Sequence, residues 1–160
     1  MTEERFQATY LVFDSPDTLP GPDGALLLAA RQALEHAYAP YSQFRVGAAV
    51  LLENGQTVSG SNQENASFPL ALCAERVALS AVESRFPNIK ILAMAITIRN
   101  QKRMIDRPAA PCGACRQVIA EKEWRQQAPF RIILQGETGP VFVLASGRDL
   151  LPLTFDPEYL

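Results

Sequence analysis

Cys73-Ala74-Glu75-Arg76 and Pro111-Cys112-Gly113-Ala114-Cys115-Arg116 together use all three cysteines of the chain and place a carboxylate two residues after the first. Three thiolates around a tetrahedral zinc leave the fourth position open for water, and a nearby carboxylate that is not a ligand can move that water's protons. The spacing therefore points to a catalytic metal centre with Cys73, Cys112 and Cys115 as ligands and Glu75 as the acid/base. Each segment alone also carries blander readings. A Cys-x-x-Cys pair serves redox chemistry or half of a zinc knuckle, a buried cysteine is often a small hydrophobe, and a carboxylate in a helix's first turn complements the dipole. A closed structural site needs a fourth ligand. No cysteine remains for it, and the one histidine, His36, falls in an upstream helix where Arg31, Gln32 and Glu35 mark a solvated face. The open, three-coordinate site is preferred.

Those segments have to be brought together by the elements around them. Residues 6 to 13 read as a short edge strand, followed by the Pro- and Gly-rich stretch Ser15 to Gly24. From Ala25 to Tyr38, Leu27, Ala30, Leu34 and Ala37 recur at helical spacing, and Ala39-Pro40 ends the helix. Arg45 to Leu52 and Gln56 to Ser61 flank Asn54-Gly55, a strong hairpin signal. Cys73 to Ser84 is apolar nearly all round and reads as a buried helix, so the Glu75-Arg76 pair at its start needs a reason. Ile89 to Ile98 suits a central strand. After an irregular basic loop from Arg99 to Pro111, a helix runs from Cys112 to Trp124, with Glu121, Lys122 and Glu123 at its wet end. Both cysteine segments thus open helices, where N–H groups and the positive dipole end favour thiolate. Phe130 to Leu134 and Val141 to Leu144 are too close in sequence for a parallel crossover and form an antiparallel hairpin. A last helix starts near Ser146 and ends around Leu151-Pro152. This order predicts an α/β fold: a mixed sheet flanked by helices.

Composition narrows the class of partner. At 160 residues, 48% of them hydrophobic and 20% charged, the chain suits one globular domain with a sizeable core. A formal net charge of -2 lacks the basic footprint of a nucleic-acid binder and favours a small substrate. Three cysteines in two short clusters make a poor disulfide framework, and Met1-Thr2-Glu3-Glu4 lacks a signal peptide's basic start, so a cytoplasmic location is expected. The apolar stretches are too short for a membrane span, and no internal repeat stands out.

Between Ala37 and Phe155 the chain resembles the cytidine deaminases, in their small, homotetrameric three-cysteine form. The likeness rests on four blocks in order: Tyr38-Ala39-Pro40-Tyr41-Ser42-x-Phe44-x-Val46-Gly47-Ala48-Ala49, Gly60-x-Asn62-x-Glu64-Asn65-Ala66, Cys73-Ala74-Glu75-Arg76 and Pro111-Cys112-Gly113-Ala114-Cys115-Arg116-Gln117. The last two blocks match the signature of zinc-dependent cytosine deaminases, whose three-cysteine variant is established. The departures are a leading extension, residues 1–23, ahead of a catalytic domain at 24–160, a charged loop at Lys102 to Arg107, and Phe68 where the family often has tyrosine.

The resemblance implies a three-layer α/β/α fold with a mixed five-stranded sheet and an antiparallel final hairpin. It also implies hydrolytic deamination of cytidine and deoxycytidine in pyrimidine salvage, with one zinc ion per chain. Glu75 then carries protons from water to the ring and to the departing amine. Arg76 matches an arginine that donates to the metal-bound thiolates and offsets the formal -1 charge of a three-thiolate site. Asn62 and Glu64, on one side of an extended segment, become binders of ribose hydroxyls. Ala74 joins the substrate-binding set, and Phe44 falls near the pyrimidine ring. Phe155, at the end of Leu151-Pro152-x-x-Phe155, matches a segment that enters a neighbouring subunit's site in a homotetramer.

Three rival readings share part of this pattern. A deaminase for another cytosine-containing molecule, such as blasticidin S, has the same zinc motifs, but the Asn62-to-Ala66 block and Phe155 favour cytidine. An RNA- or DNA-editing deaminase is disfavoured by the charge and by the antiparallel final hairpin. A non-enzymatic zinc-stabilised module would normally close its coordination shell, which leaves Glu75 unexplained.

Overall fold

The computed structural model describes residues 1–160. Its centre is a six-stranded mixed sheet in the order β1 (Tyr10–Phe13), β6 (Val141–Leu144), β5 (Arg131–Gln135), β4 (Ile91–Asn100), β2 (Phe44–Leu52), β3 (Thr57–Ser61). Three helices cover it: α1 (Asp23–Ala33), α2 (Ala74–Arg85) and α3 (Gly113–Gln126). Only β4 and β5 run parallel, and α3 is the crossover between them. The other neighbours are antiparallel, including the expected final hairpin, in which Ile133 pairs with Val143.

The layers follow from strand alternation. In β2, Ala48, Val50 and Leu52 face the core shared with Ala78, Leu79 and Val82 of α2 and Ile119 of α3, whereas Ala49 faces the core built on Leu26, Leu27 and Ala30 of α1. In β4, Met94 and Ile96 face the first core, and Ala93 and Ala95 face the second. The arrangement is the three-layer α/β/α fold expected. No helix is long and apolar enough to cross a membrane.

The structure corrects several local expectations. The sheet has six strands, not five, because Tyr10–Phe13 from the leading extension pairs with β6 along its edge, with the Tyr10 ring 4.7 Å from that of Phe142. Part of residues 1–23 is therefore built into the sheet of the catalytic domain. The first helix tightens into a 3-10 turn at Leu34–His36, and the last expected helix is only a 3-10 turn, Gly147–Leu150, capped by the Ser146 hydroxyl. Lys122 and Glu123 are buried, not at a wet helix end. Lys122 pairs with Glu83, and the Glu123 carboxylate accepts from the N–H groups of Phe130, Gly147 and Arg148 and from the Ser146 hydroxyl. The hairpin between β2 and β3 places only Gly55 at positive φ (82°), with Gly55 N donating to Leu52 O.

The seat of α2 decides where the chemistry sits. A Cβ at Gly60 of β3 would lie 2.5 Å from Ala78 N and 2.7 Å from Ala74 O, so only glycine lets the first turns of α2 lie against the strand. Gly60→Ala should therefore lower the unfolding free energy by about 1–3 kcal/mol, the usual scale of overpacking. Urea denaturation measures this, and an unchanged midpoint would contradict the close seating.

Candidate metal and nucleoside site

Cys73 and Cys112 are the N-cap residues of α2 and α3, both in extended backbone conformation. Their carbonyls accept the first helical bonds, from Val77 N (3.1 Å) and Arg116 N (3.0 Å). Cys115 lies in the first turn of α3, so the two helix N-termini converge on three sulfurs. Cys73 Sγ lies 3.8 Å from Cys112 Sγ, Cys112 Sγ lies 3.4 Å from Cys115 Sγ, and all three fall within 4.8 Å of one another. Two sulfurs at about 2.3 Å from a tetrahedral zinc stand roughly 3.8 Å apart, so the donor set fits a soft divalent cation.

The charge balance points the same way. Hydrogen bonding from Cys115, opposed by burial, pulls the Cys73 thiol down to about 6, with a smaller contribution from the Arg76 charge. That same contact with Cys73, together with burial and the Glu75 carboxylate, pushes Cys115 strongly up. Three sulfurs this close cannot all be thiolates without a cation among them. Cys115 is fully buried, while Cys73 and Cys112 reach the surface of a cleft.

That cleft has a volume of about 450 Å³, within the range of small-molecule sites. Phe44, Ile96 and Ile98 supply apolar walls, and Asn62, Glu64 and Glu75 supply polar groups beside Cys73 and Cys112. Glu75 is only 5% exposed and sits on the buried stripe of α2 with Ala74, Ala78, Leu79 and Val82. A carboxylate on an apolar helix face is costly to bury, and buried carboxyls of this kind in clefts cluster at functional sites. Burial raises its affinity for a proton, opposed by hydrogen bonds from its own N–H and the Cys115 thiol.

The other residues singled out from sequence take varied places. Asn62 and Glu64 do project into one cleft, on a segment tied to its neighbours by Tyr38 N to Asn62 O (3.0 Å) and Glu64 N to Tyr38 O (2.8 Å). The Asn62 amide is already engaged: Oδ1 accepts from Val46 N (2.8 Å), and Nδ2 donates to Phe44 O (3.0 Å). It holds open the start of β2, where Phe44 stands. Burial works to raise the Glu64 carboxyl, but hydrogen bonds from Ser42 and from Tyr41 N (2.9 Å), aided by the Lys102 charge, hold it below the usual range. Ala74, expected to bind substrate, is fully buried in the core and does not line the cleft. Arg76 is half-buried and makes no hydrogen bond to a sulfur. Its neighbour in the second motif, Arg116, spans Pro111 O (2.8 Å) and Leu150 O (2.9 Å) instead. Phe155 does not line this chain's own cleft. It is 57% exposed, and its carbonyl accepts from Gln117 Nε2 (2.8 Å). Sequence reasoning missed Ala109 and Ala110, which close one side of the cleft. Only their position just before the Pro111-Cys112 motif pointed to them.

Residues 22–127 match the family model for the cytidine and deoxycytidylate deaminase zinc-binding region. A cytidine deaminase of Halalkalibacterium halodurans is 41% identical over 133 residues, 83% of this chain and 93% of that one. The chain belongs to the cytidine deaminase family. A Mycobacterium tuberculosis cytidine deaminase is 42% identical over 77% of this chain and 88% of its own. Among solved structures of the family, the cytidine deaminase of Burkholderia pseudomallei superimposes with a TM-score of 0.71 at 41% identity, covering 82% of this chain and 97% of that chain.

Because the Asn62 amide satisfies two backbone groups at the cleft edge, Asn62→Ala should leave both without a partner. We expect a loss of about 1–3 kcal/mol in denaturant unfolding. Unchanged stability would show that these bonds do not hold the cleft's edge.

Proposed function

We propose that this protein hydrolyses cytidine and deoxycytidine to uridine and deoxyuridine with release of ammonia, as a step of pyrimidine salvage. The observation that carries the reading is the buried Glu75 carboxyl opening into the same cleft as Cys73 and Cys112. Cys73, Cys112 and Cys115 would hold one zinc ion per chain. Bound there, zinc supplies a Lewis acid that makes water nucleophilic near neutral pH. Every other role falls to the chain. Glu75 accepts the proton of the attacking water and delivers it to N3 of the pyrimidine as oxygen adds to C4. It then takes the remaining proton from the new C4 hydroxyl and delivers it to the exocyclic nitrogen, so that the C4 carbonyl forms as the C4–N bond breaks and ammonia leaves. Its low exposure suits this cycle, since a carboxyl that holds a proton easily can return it.

Phe44, Ile96 and Ile98 provide an apolar surface for the pyrimidine, and Glu64 a hydroxyl acceptor for the ribose. Asn62 retains one N–H and one lone pair beyond its two backbone bonds, enough for a further contact with the sugar. Arg76 offsets the negative charge of the three-thiolate site from half-buried cover. Ala74 fixes the helix start that aims Glu75. Phe155, outside its own cleft, suits a homotetramer in which each chain lends this ring to a neighbour's pyrimidine pocket. A cytoplasmic location accords with three free thiols and with a nucleoside substrate.

The test is incubation of the purified protein with cytidine and with deoxycytidine, following ammonia release and the ultraviolet change together. Both signals should appear in equal amounts. Glu75→Gln should keep the fold and full metal content while kcat falls by about a hundredfold or more, the scale of losing general acid–base catalysis. A folded, metal-loaded variant with near-normal turnover would remove Glu75 from that role.

A further inference from the structure

The charged loop from Lys102 to Arg107 has no part in the chemistry proposed above, yet it is held in place at both ends. It leaves β4 at Asn100, which pairs with Phe44 at the start of β2. Gln101 N donates to Gln43 O (3.2 Å) and Lys102 N to Asn100 Oδ1 (2.9 Å), so its first turn is fixed beside the Tyr41–Ser42 backbone that holds Glu64. Farther on, Ile105 O accepts from Glu137 N (2.7 Å) in the turn between β5 and β6. A Cβ at Gly136 would lie 2.6 Å from Ile105 O, and one at Gly139 would overlap Asp106 O, so the loop backbone lies flush on that turn.

Beside the seated loop opens a basin of about 710 Å³, with Phe44, Ile98, Met104 and Phe142 as apolar walls and Arg103 and Arg107 among its lining. It shares Phe44, Ile98, Ala109 and Ala110 with the cleft that holds Cys73, Cys112 and Glu75, so the two are continuous. Lys102, Arg103 and Arg107 are exposed and enter no ion pair, whereas Arg99, just before the loop, is paired with Glu35 and Glu137. Asp106 is the one acid of the loop, so three cations stand against one anion in a chain whose formal net charge is -2. Unpaired cations gathered on one short loop repel one another, and a small anion brought between them relieves that repulsion.

The same charge reaches the sugar end of the cleft. Against the effect of burial, and alongside hydrogen bonds from Ser42 and Tyr41, the Lys102 ammonium helps to hold the Glu64 carboxyl below its usual range. Lys102 therefore acts on the group proposed to meet the ribose, and Arg103 and Arg107 carry positive charge from there into the basin. A free anion would use the basin alone, whereas an anion joined to the nucleoside uses basin and cleft together. Asn62 and Glu64 are assigned to ring hydroxyls, and a phosphate carried on one of those would meet the Glu64 carboxylate. The C5' hydroxymethyl is the position left for it.

We infer that the protein also takes cytosine nucleotides, cytidine and deoxycytidine 5'-monophosphate, as substrates, with the base in the cleft and the phosphate held by Lys102, Arg103 and Arg107. The inference rests on the nucleoside reading of the cleft and extends its substrate class. The bond changes stay the same: water replaces the C4 amino group, ammonia leaves, and the phosphate ester neither forms nor breaks a bond. Arginine suits the task because its planar fork meets two phosphate oxygens at once.

Steady-state kinetics of the purified protein, read by ammonia release, test this with cytidine, deoxycytidine and the two 5'-monophosphates. The nucleotides should be deaminated with KM values no more than about threefold above those of the nucleosides, because charge-assisted contacts offset the cost of drawing the phosphate from water. Added salt should raise the nucleotide KM and leave the nucleoside KM within about twofold, since only the phosphate contacts are screened. Arg103→Ala with Arg107→Ala should raise the nucleotide KM by about tenfold or more, the scale of losing hydrogen bonds to a charged group, with cytidine again within about twofold. If that variant does not fold, the salt dependence of the unaltered protein decides. Turnover of the nucleosides without turnover of the nucleotides, or a nucleotide KM indifferent to salt and to the arginines, would overturn the inference and leave the nucleoside reading standing. No turnover of any of the four compounds would bring down the nucleoside reading itself.

Discussion

Three sulfurs gathered within 4.8 Å of one another form the constraint on which the rest of the molecule turns. As thiolates they repel, and as thiols they would leave two helix N-termini facing each other without counter-charge. One divalent cation resolves both problems. The fold is arranged to make that meeting unavoidable: α2 rises from the strand pair β2–β3, α3 crosses between the parallel strands β4 and β5, and both helices start on the same side of the sheet. Glycine at Gly60 brings α2 close enough for Cys73 to reach the other two sulfurs. A cation held there and the helices would therefore support each other, since whatever seats the helices also assembles the ligands.

The proposed proton carrier depends on the same seating. Glu75 lies on the buried side of α2, where the aliphatic core that stabilises the helix also strips water from the carboxyl. The carboxyl proposed to carry the protons is thus tuned by packing that would be present for stability alone. Polar contacts elsewhere in the cleft serve position. Asn62 holds the start of β2, and the backbone of Tyr41 and Ser42 holds Glu64 ionised and in place.

The parts of this structure that could be read from sequence are those governed by local rules. The Asn54-Gly55 turn, the apolar run of α2, the short link between β5 and β6 and the spacing of the cysteines each carry their meaning within a dozen residues. Long-range pairing does not announce itself this way. Residues 6 to 13 read as an edge strand and Tyr10–Phe13 forms one, but its partner β6 lies more than a hundred residues later, and nothing local named it. Glu121, Lys122 and Glu123 look alike as a charged helix end, yet Glu83 and the N–H groups around Gly147 draw the last two inward. Side-chain direction was equally hidden. The alternation rule placed Asn62 and Glu64 on one side, but nothing local revealed that the Asn62 amide faces the backbone of β2 or that Phe155 points away from its own cleft.

The proposed chemistry requires one metal ion among the three cysteines, with an open position beside Glu75. X-ray absorption at the zinc edge of the purified protein tests it most directly. The prediction is one zinc per chain with three sulfur neighbours at about 2.3 Å and a single lighter neighbour, nitrogen or oxygen. Four sulfur neighbours, or a protein that carries no zinc after purification without chelators and refuses it on addition, would contradict it.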